Sequence, residues 1–483
     1  MNSIINFKIV FKVISRNSFI VTCALLVNAV IAIIYAENIT PFIYSALISL
    51  FIGIVFHLLT KKQGEDITLN RKDAYVTVTI SWLYISLIGT LPYLLSGSIP
   101  SCINALFESA SGFTTTGASI LRDIESLPKS ILFWRSLTHW IGGIGIIVLV
   151  IIVMPSLHIG GYNLFTLESS FQEKIQPKIK SVGQRLLLIY ILLTAAEVIL
   201  LMLGNMNLFE SACHAFGTVA TGGFSPKNSS ITDYSPYIQY VIMVFMFLAG
   251  TNFIIHYYLI KKDFSKVKEN EEYKFYIAVV LIVGIVVSSF LYFDMHKSAE
   301  ESIREGFFQV ISIITCTGFA TADYLQWPVI AWTIIFFAMF LGGSTGSTAG
   351  GIKMVRHLVF LKNIGKIIRQ FNSPNAILTL KLNKKTLSEE SNNSILTFIS
   401  IYFLVFIVGS LMLMTTGIDG PTASSSAATC MAGIGPGIGT VGPANNFAHL
   451  PDSGKLILTF LMLVGRLEIY TVLILFTRNF WLK

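Results

Sequence analysis

The sequence predicts an all-α polytopic membrane protein, made of four tandem units that follow an N-terminal helical hairpin. Three observations lead to this fold class. Of the 483 residues, 53% are hydrophobic and only 12% are charged, whereas a soluble domain carries about 25% charged residues. Apolar runs long enough for the roughly 20 residues that cross a bilayer recur along the chain. A short motif that ends in glycine recurs four times, and such internal repetition predicts tandem units.

The first element is a hairpin of two apolar runs, at residues 19–35 and 41–59. Lys8, Lys12 and Arg16 precede the first run, an arrangement that secretory signal peptides share. A convincing small-residue cleavage site is absent before the second run, which follows at once. We therefore expect both runs to remain as membrane helices.

Each tandem unit is predicted as a membrane span, a short re-entrant segment, a glycine loop and a second span. The re-entrant segments are too short to cross the membrane and lie at residues 102–113, 208–217, 303–314 and 421–430. The paired spans are predicted at residues 74–95 with 131–154, 186–203 with 237–259, 275–293 with 329–341 and beyond, and 395–414 with 456–476. The predicted limits are 1–70 for the hairpin and 71–160, 161–262, 263–385 and 386–483 for the four units.

The glycines on which the four loops align are Gly117, Gly222, Gly318 and Gly435. A second repeat supports this alignment, because the pentapeptide Leu-Phe-Glu-Ser-Ala occurs at residues 106–110 and again at 208–212. The two copies differ by about one helical turn in their distance from the glycines. Glu108 and His214, on the re-entrant segments, are interpreted as hydrogen-bonded supports and not as ion ligands.

The charged residues indicate orientation and not a nucleic-acid partner. The chain has 34 basic and 26 acidic residues, a net charge of +8. Most basic residues fall in loops that face inward if the N-terminus is cytoplasmic, as the positive-inside rule requires. The five cysteines show neither metal-ligand spacing nor a disulfide framework, although Cys316 lies in the third glycine loop.

The four glycine loops carry residues that suit a monovalent cation. Backbone carbonyls can replace the water shell of such an ion without a full negative charge that would trap it, and glycine allows the backbone angles that aim them inward. Asp323 is the nearest carboxylate to any of the four glycines, which disfavours calcium-type selectivity. The competing interpretation is that the glycines serve close helix packing. The candidate ion-binding carbonyls belong to Thr115, Thr116, Gly117, Ala220, Thr221, Gly222, Cys316, Thr317, Gly318, Gly433, Ile434 and Gly435.

Ten small residues interrupt the third unit near mid-membrane. Broken backbone at that depth is tolerated only where it is buried in protein or lines a wet cavity. The run comprises Gly342, Gly343, Ser344, Thr345, Gly346, Ser347, Thr348, Ala349, Gly350 and Gly351. Its first five residues match Gly-x-Ser-x-Gly, which leaves an intramembrane serine hydrolase as an alternative, with His139 or His256 as the base. An alternating-access transporter with broken helices is a further alternative.

The loop motifs resemble those of a known family. They read Thr-Thr-Thr-Gly-Ala-Ser at 114–119, Thr-Gly-Gly-Phe-Ser at 221–225, Thr-Gly-Phe-Ala-Thr-Ala-Asp at 317–323 and Gly-Pro-Gly at 435–437. They are similar to the four filter loops of the Trk/Ktr/HKT potassium transporters, and the N-terminal hairpin points to the bacterial TrkH/TrkG branch. Gly117 stands where sodium-selective plant members carry serine, which favours potassium. Ala320 and Ala432-Gly433 depart from the commonest family wording, which bears on the strictness of selectivity.

The resemblance implies four membrane-pore-membrane (M1-P-M2) repeats around one central pore, and potassium uptake across the bacterial inner membrane by a protein that is not an enzyme. K+ would be the transported ion, held at the filter carbonyls, with no bound organic cofactor in this chain. The implied partners are a second copy in a homodimer, membrane lipids, and a cytosolic nucleotide-binding ring of the TrkA type that docks on inward segments such as 353–385. The run of small residues would form an intramembrane loop that obstructs the path below the filter.

Arg466 is the charge that we expect to act in this barrier. It lies inside the last predicted span, where a charge is costly and often functional. We expect its guanidinium to reach carbonyls of the interrupted third-unit span and to hold the barrier closed. Glu468 lies two positions further, roughly 200° around a helix, so we expect it to pair with another helix. The alternative is a purely structural Arg466–Glu468 pair.

Overall fold

The computed structural model describes residues 5–61, 70–148, 175–376 and 378–482. Within those residues, six helices are long and apolar enough to cross a membrane, and up to eight if two bent helix pairs each count as one span. This agrees with the predicted all-α polytopic fold. The end of the predicted span at 131–154 and the unit limit at 160 lie outside the described residues.

The N-terminal hairpin is formed by α1 (Phe7–Ile34) and α2 (Thr40–Thr60). The two helices pack along each other and α1 also contacts the first unit. Small residues allow the close approach: the Ser15 hydroxyl donates to the Gly53 carbonyl at 2.8 Å across the pair. The carboxylate of Glu37, in the turn, accepts from the backbone amides of Lys129 and Ser130 in the first unit. These hydrogen bonds therefore hold the hairpin against the first unit.

Helices of the four predicted units follow in chain order. The first unit has α3 (Arg71–Ile88), α4 (Leu91–Leu95), α5 (Cys102–Phe113) and α6 (Lys129–Val148), and the second has α7 (Ile175–Leu203), α8 (Leu208–Val219), α9 (Pro236–Ala249) and α10 (Phe253–Ile260). The third unit has α11 (Phe264–Glu269), α12 (Glu271–Phe293), α13 (Ala299–Ile314), α14 (Val329–Ala338) and α15 (Met354–Asn372). An antiparallel pair, β1 (Lys381–Leu382) and β2 (Lys385–Thr386), crosses the predicted limit at 385. The fourth unit continues with α16 (Glu389–Met414), α17 (Gly420–Ala432), α18 (Asp452–Arg466), α19 (Ile469–Leu473) and α20 (Arg478–Trp481).

The predicted re-entrant segments are the short helices α5, α8, α13 and α17, which we call the first to fourth pore helices. Each begins at a side-chain cap, as polar residues at this position satisfy amides that lack a helical partner. The caps are Ser101, Asn207, Ser298 and Asp419. All four pore helices are largely buried at their C-terminal ends. The core therefore surrounds the places where the glycine loops begin.

Two outer spans are broken where the sequence predicts continuous helices. The predicted span 237–259 bends by 102° between α9 and α10, and the predicted span 456–476 bends by 115° after Arg466. The side chain of Asn252 caps the new helix in the first case by accepting from the Ile254 amide. In the second case Glu468 takes a left-handed φ of 60°, which ends the helix. In the third unit, by contrast, the break is where the sequence predicts it, because α14 stops at Ala338 before the run of small residues.

Candidate ion-conducting site

The loops that follow the four pore helices share one backbone pattern. Each has a residue with positive φ, then one residue outside that region, then a glycine with positive φ. The first positions are Thr115, Thr221, Cys316 and Gly433, and the glycines are Gly117, Gly223, Gly318 and Gly435. Positive φ costs a non-glycine residue about 1–2 kcal/mol, and such strain concentrates at functional sites. The same deviation in four loops indicates a common task.

This pattern corrects the sequence alignment of the second loop by one residue. The glycine equivalent to Gly117 is Gly223, with a φ of 80°, and not Gly222. Backbone hydrogen bonds give the same register, because the amides of Thr116, Gly222, Thr317 and Ile434 each donate to the carbonyl five residues earlier. Ala220 therefore corresponds to the helix-capping residue Thr114 and lies one position before the equivalent of Thr115. The sequence alone does not reveal this shift, because Gly222 and Gly223 are adjacent and either one can be aligned with Gly117.

The four loops form a closed ring. A β-carbon built on Gly117 would overlap the Gly222 oxygen, and one on Gly223 would overlap the Thr317 oxygen. One on Gly318 would overlap the Ile434 oxygen, and one on Gly435 would lie 2.8 Å from the Thr116 oxygen. Each loop thus places a glycine against a carbonyl of the next loop, and the fourth returns to the first. Only glycine leaves room for these oxygens.

The ring opens into an outer cavity of about 170 Å³ that Gly117, Gly223, Gly318 and Gly435 all line. Loops that follow the first two ring glycines are joined at the rim of this cavity. The Asn228 side chain donates to Asp123 at 2.9 Å and accepts from the Ile124 amide at 2.7 Å. The hydrogen bond from Asn228 lowers the pKa of the Asp123 carboxyl from its ordinary value. The rim therefore holds the first two loops in a fixed relation.

The run of small residues at 342–351 lies directly against the inner ends of the pore helices. The Thr348 hydroxyl donates to the carbonyl of Val219, the last residue of the second pore helix, at 2.9 Å. A β-carbon on Gly350 would overlap the oxygen of Ala432, at the end of the fourth pore helix. One on Gly351 would lie 3.5 Å from the Cys316 sulfur. The run is non-helical and mostly buried, as the depth argument predicts.

Arg466 joins this loop to the first unit. Its Nη1 donates to the Thr348 carbonyl at 2.9 Å and its Nη2 donates to the Gly142 carbonyl at 3.0 Å. The predicted contact between Arg466 and the interrupted third-unit span is therefore confirmed. Gly142 was missed from the sequence because the contact uses its backbone oxygen, on which the identity of the side chain has no bearing.

Glu468 pairs with another helix, as expected, but the helical angle used for that expectation is wrong. Its carboxylate accepts from the Arg356 guanidinium on α15 at 2.7 Å, with both side chains largely buried. The helix ends at Arg466, so Glu468 turns away through its own left-handed backbone and not through helical rotation. Lys353, the first residue of the inward segment 353–385 that we expect to dock a partner, donates from Nζ to the Ala349 carbonyl inside the loop.

The arrangement needed for a serine hydrolase is not present in the described residues. There, the Ser344 hydroxyl is buried and has no hydrogen-bond partner. His139 Nδ1 donates to the Gly112 carbonyl at 2.7 Å, and His256 Nε2 donates to the Leu248 carbonyl at 2.8 Å. A serine nucleophile requires a base within hydrogen-bond reach. These contacts assign both histidines to the support of the backbone.

Comparisons with known proteins agree with this geometry. A family model for TrkH, described as a cation transport protein, matches residues 42–482. The Trk system potassium uptake protein TrkH of Escherichia coli K12 is 34% identical over 99% of both chains, and TrkG of the same strain is 34% identical over 94% of both. The crystal structure of the potassium transporter TrkH from Vibrio parahaemolyticus superposes with a TM-score of 0.91 at 30% identity, over 99% of this chain and 100% of that one. The chain therefore belongs to the TrkH family of cation transport proteins.

Proposed function

We propose that this chain carries potassium into the bacterial cell across the inner membrane, through the ring formed by the four glycine loops. The closed ring is the single observation that carries the proposal. Four loops from one chain share the same left-handed pattern, and each places a glycine against a backbone oxygen of the next loop. Carbonyl oxygens are the ligands that replace the water shell of potassium. The relatives named as potassium uptake proteins support the same ion.

The proposed ion ligands follow the corrected register of the second loop. Gly223 takes the place that the sequence alignment gave to Gly222, and Ala220 moves out of the ligand set. The proposed carbonyls belong to Thr115, Thr116, Gly117, Thr221, Gly222, Gly223, Cys316, Thr317, Gly318, Gly433, Ile434 and Gly435.

The loop 342–351 and Arg466 are proposed to form a movable barrier below the ring. The loop contacts the second and fourth pore helices and the Cys316 side chain of the third loop, while Arg466 connects it to α6. A fixed positive charge in a poorly solvated passage repels a permeating cation. Movement of the loop would break the hydrogen bond from Arg466 to the Thr348 carbonyl and leave the guanidinium held on one side only, by the Gly142 carbonyl.

The test is potassium-dependent growth and rubidium uptake in a strain that lacks its own uptake systems. The full chain should restore growth at low potassium and should accumulate rubidium against a sodium background. Gly117→Ser should reduce the rubidium-to-sodium flux ratio, because a side chain there displaces the Gly222 carbonyl. Wild-type protein that reaches the membrane yet takes up no rubidium would contradict the function.

Alternating access remains a second candidate because two outer spans are bent by 102° and 115°, and broken helices are typical of such transporters. The two mechanisms differ in flux. A pore that is open to both sides should pass current that rises with the potassium gradient, whereas alternating access should saturate at a turnover limit. Liposome flux measured over a wide range of gradients separates them.

We further propose that the units end at the predicted limits, except that the third unit extends through Thr386 to include the whole strand pair. We also propose that the protein is a homodimer and that a cytosolic nucleotide-binding ring docks on its inward face. The inward segment offers Lys362, Lys366 and Arg369 on α15 and Lys384 beside the strand pair. Lys384 is largely exposed and pairs with Glu269. The double variant Lys366→Glu with Arg369→Glu should co-purify less well with a TrkA-type subunit than the wild-type protein does.

Native mass spectrometry in detergent tests the homodimer, for which we expect twice the mass of one chain.

A further inference from the structure

A buried ion pair lies behind the first filter loop. Glu108, on the first pore helix, accepts from Arg135 Nε on α6 at 2.9 Å, and the two side chains are 0% and 2% exposed. Removing two charges from water is costly, and well-packed apolar side chains often serve stability equally well. The pair therefore needs an explanation other than stability.

The pair contacts the backbone of two neighbouring filter loops. Glu108 accepts from the Ser119 hydroxyl at 3.0 and 3.1 Å and from the Ile120 amide at 2.9 Å. Arg135 donates from Nη2 to the Ser119 hydroxyl and from Nη1 to the Ser225 carbonyl, both at 3.2 Å. Ser119 lies two residues after Gly117, and Ser225 lies two residues after Gly223. One rigid guanidinium thus joins the first loop to the second.

The corrected register reveals that this support is not repeated around the ring. The positions equivalent to Glu108 are His214, Gln309 and Ser426. His214 Nε2 contacts the Ser225 hydroxyl at 3.0 Å, which repeats half of the arrangement. In the third and fourth loops the residues equivalent to Ser119 are Ala320 and Gly437, which have no hydroxyl.

The third and fourth loops use a different support. The side chain of Gln309 and the hydroxyl of Ser426 are buried and have no hydrogen-bond partner in the described part of the chain. Instead, the Ser312 hydroxyl donates to the Phe319 carbonyl at 2.6 Å and the Thr429 hydroxyl donates to the Pro436 carbonyl at 2.9 Å. Each of these bonds joins a pore helix to the loop of the same unit. The first and second loops are therefore the pair whose relative position depends on charge.

We propose that Glu108 and Arg135 are positioning residues that determine selectivity by fixing the separation of the first and second filter loops. The proposal rests on the proposed function of the ring. Arginine presents its donors in a rigid planar fork, so the fork sets the distance between Ser119 and Ser225 next to the ring, while the Asn228 contacts join the two loops further out at the rim. The opposite charges cancel each other locally, so the pair adds little field to the ion path. A small displacement of the carbonyls changes the fit between a larger and a smaller cation.

The test compares the rubidium-to-sodium flux ratio of purified full-length variants in liposomes. Glu108→Gln and Arg135→Lys should each lower the ratio by about tenfold, the middle of the range for groups coupled in one buried network. Lysine keeps the charge next to Glu108 but cannot also reach the Ser225 carbonyl in fork geometry. The double variant Glu108→Gln with Arg135→Gln removes both charges and leaves no unpaired buried charge. It should fold and should also show the lower ratio.

Glu210 provides a matched control from the same pentapeptide. It lies in the first turn of the second pore helix, one turn before the position of Glu108, and contacts Lys227 and Tyr234 near the outer surface. Glu210→Gln should keep the wild-type ratio. A wild-type ratio in the folded Glu108 and Arg135 variants, or failure of both Arg135→Lys and the double variant to fold, would show a structural pair and overturn the proposal. Absent rubidium uptake by the wild-type protein would instead refute the proposed function.

Discussion

Gly433 and Gly435 have the same left-handed backbone but very different surroundings. Their φ values are 73° and 98°. A β-carbon on Gly433 would find its nearest neighbours, two carbonyl oxygens, at 3.8 and 3.9 Å. A β-carbon on Gly435 would lie 2.8 Å from the Thr116 oxygen and 3.1 Å from the Gly117 oxygen. Alanine substitutions at these two glycines therefore distinguish two effects. At Gly433 alanine strains the backbone only, whereas at Gly435 it also displaces a carbonyl oxygen of the first loop.

Gly433→Ala should destabilise the protein by about 1 kcal/mol, the cost of left-handed backbone for a non-glycine residue, and should retain selectivity. Gly435→Ala should carry the same cost and also lower the rubidium-to-sodium flux ratio, because it displaces the Thr116 carbonyl. Thermal unfolding and liposome flux of both variants check this expectation. Equal flux ratios in the two variants would count against the ring as the site of selection.

The sequence predicts which four loops form the ring, but it does not predict the register of the second loop. Gly222 and Gly223 are both glycines, so only their backbone angles show which of them corresponds to Gly117. The equivalence of Glu108 with His214, Gln309 and Ser426 depends on that register, since no two of these residues share a side chain. Contacts made by backbone atoms, such as the Gly142 carbonyl with Arg466, leave no trace in the sequence.

The contacts of Arg466 should control the movement of the loop 342–351. Arg466→Ala removes two charge-assisted hydrogen bonds, together about 3 kcal/mol. If these stabilise only the closed loop, ungated rubidium flux should rise by up to about a hundredfold. The control is Arg304→Ala, which removes an arginine that pairs with Glu300 away from the loop. Reduced or unchanged flux per folded Arg466→Ala protein would exclude the barrier role.

Deletion of residues 346–349 is a separate test of the same element. It removes Thr348, whose hydroxyl contacts Val219 and whose carbonyl accepts from Arg466. Ungated flux should increase while the rubidium-to-sodium ratio stays close to that of the wild type, because the ring lies on the outer side of the loop. Loss of all transport by well-folded protein would mean that the loop is required for conduction.

Helix existence was easier to predict than helix continuity. The first re-entrant segment was predicted at 102–113 and is observed as Cys102–Phe113, because a cap and a glycine loop mark its two ends. The bends after Ala249 and after Arg466 lie within segments that are apolar enough on average to form one span each, although small, polar or charged residues stand at both bends. Hydropathy averaged over a span does not show them, because a few small or polar residues change the average little.

An ion bound in the ring would contact a loop from each of the four units. Potassium bound there should stabilise the entire fold, by about 2.7 kcal/mol when its concentration is a hundred times the dissociation constant. Thermal unfolding in detergent should therefore occur at a higher temperature in potassium than in sodium at equal ionic strength. Gly435→Ala should reduce this difference, whereas Gly433→Ala should preserve it. A wild-type unfolding temperature that is the same in both salts would contradict a preformed potassium site.

The contacts around the closed ring all run in the same direction, from each loop to the loop that follows it in the chain. Gly117 faces the second loop, Gly223 faces the third, Gly318 faces the fourth, and Gly435 faces the first. A side chain introduced in one unit therefore disturbs the oxygen supplied by the unit that follows it in the chain, and the fourth unit passes its disturbance to the first. Suppressor substitutions should accordingly arise in the following unit and not in the unit that carries the lesion. Because all four units belong to one polypeptide, a single lesion can be introduced at one point of this cycle, which identical subunits would not allow.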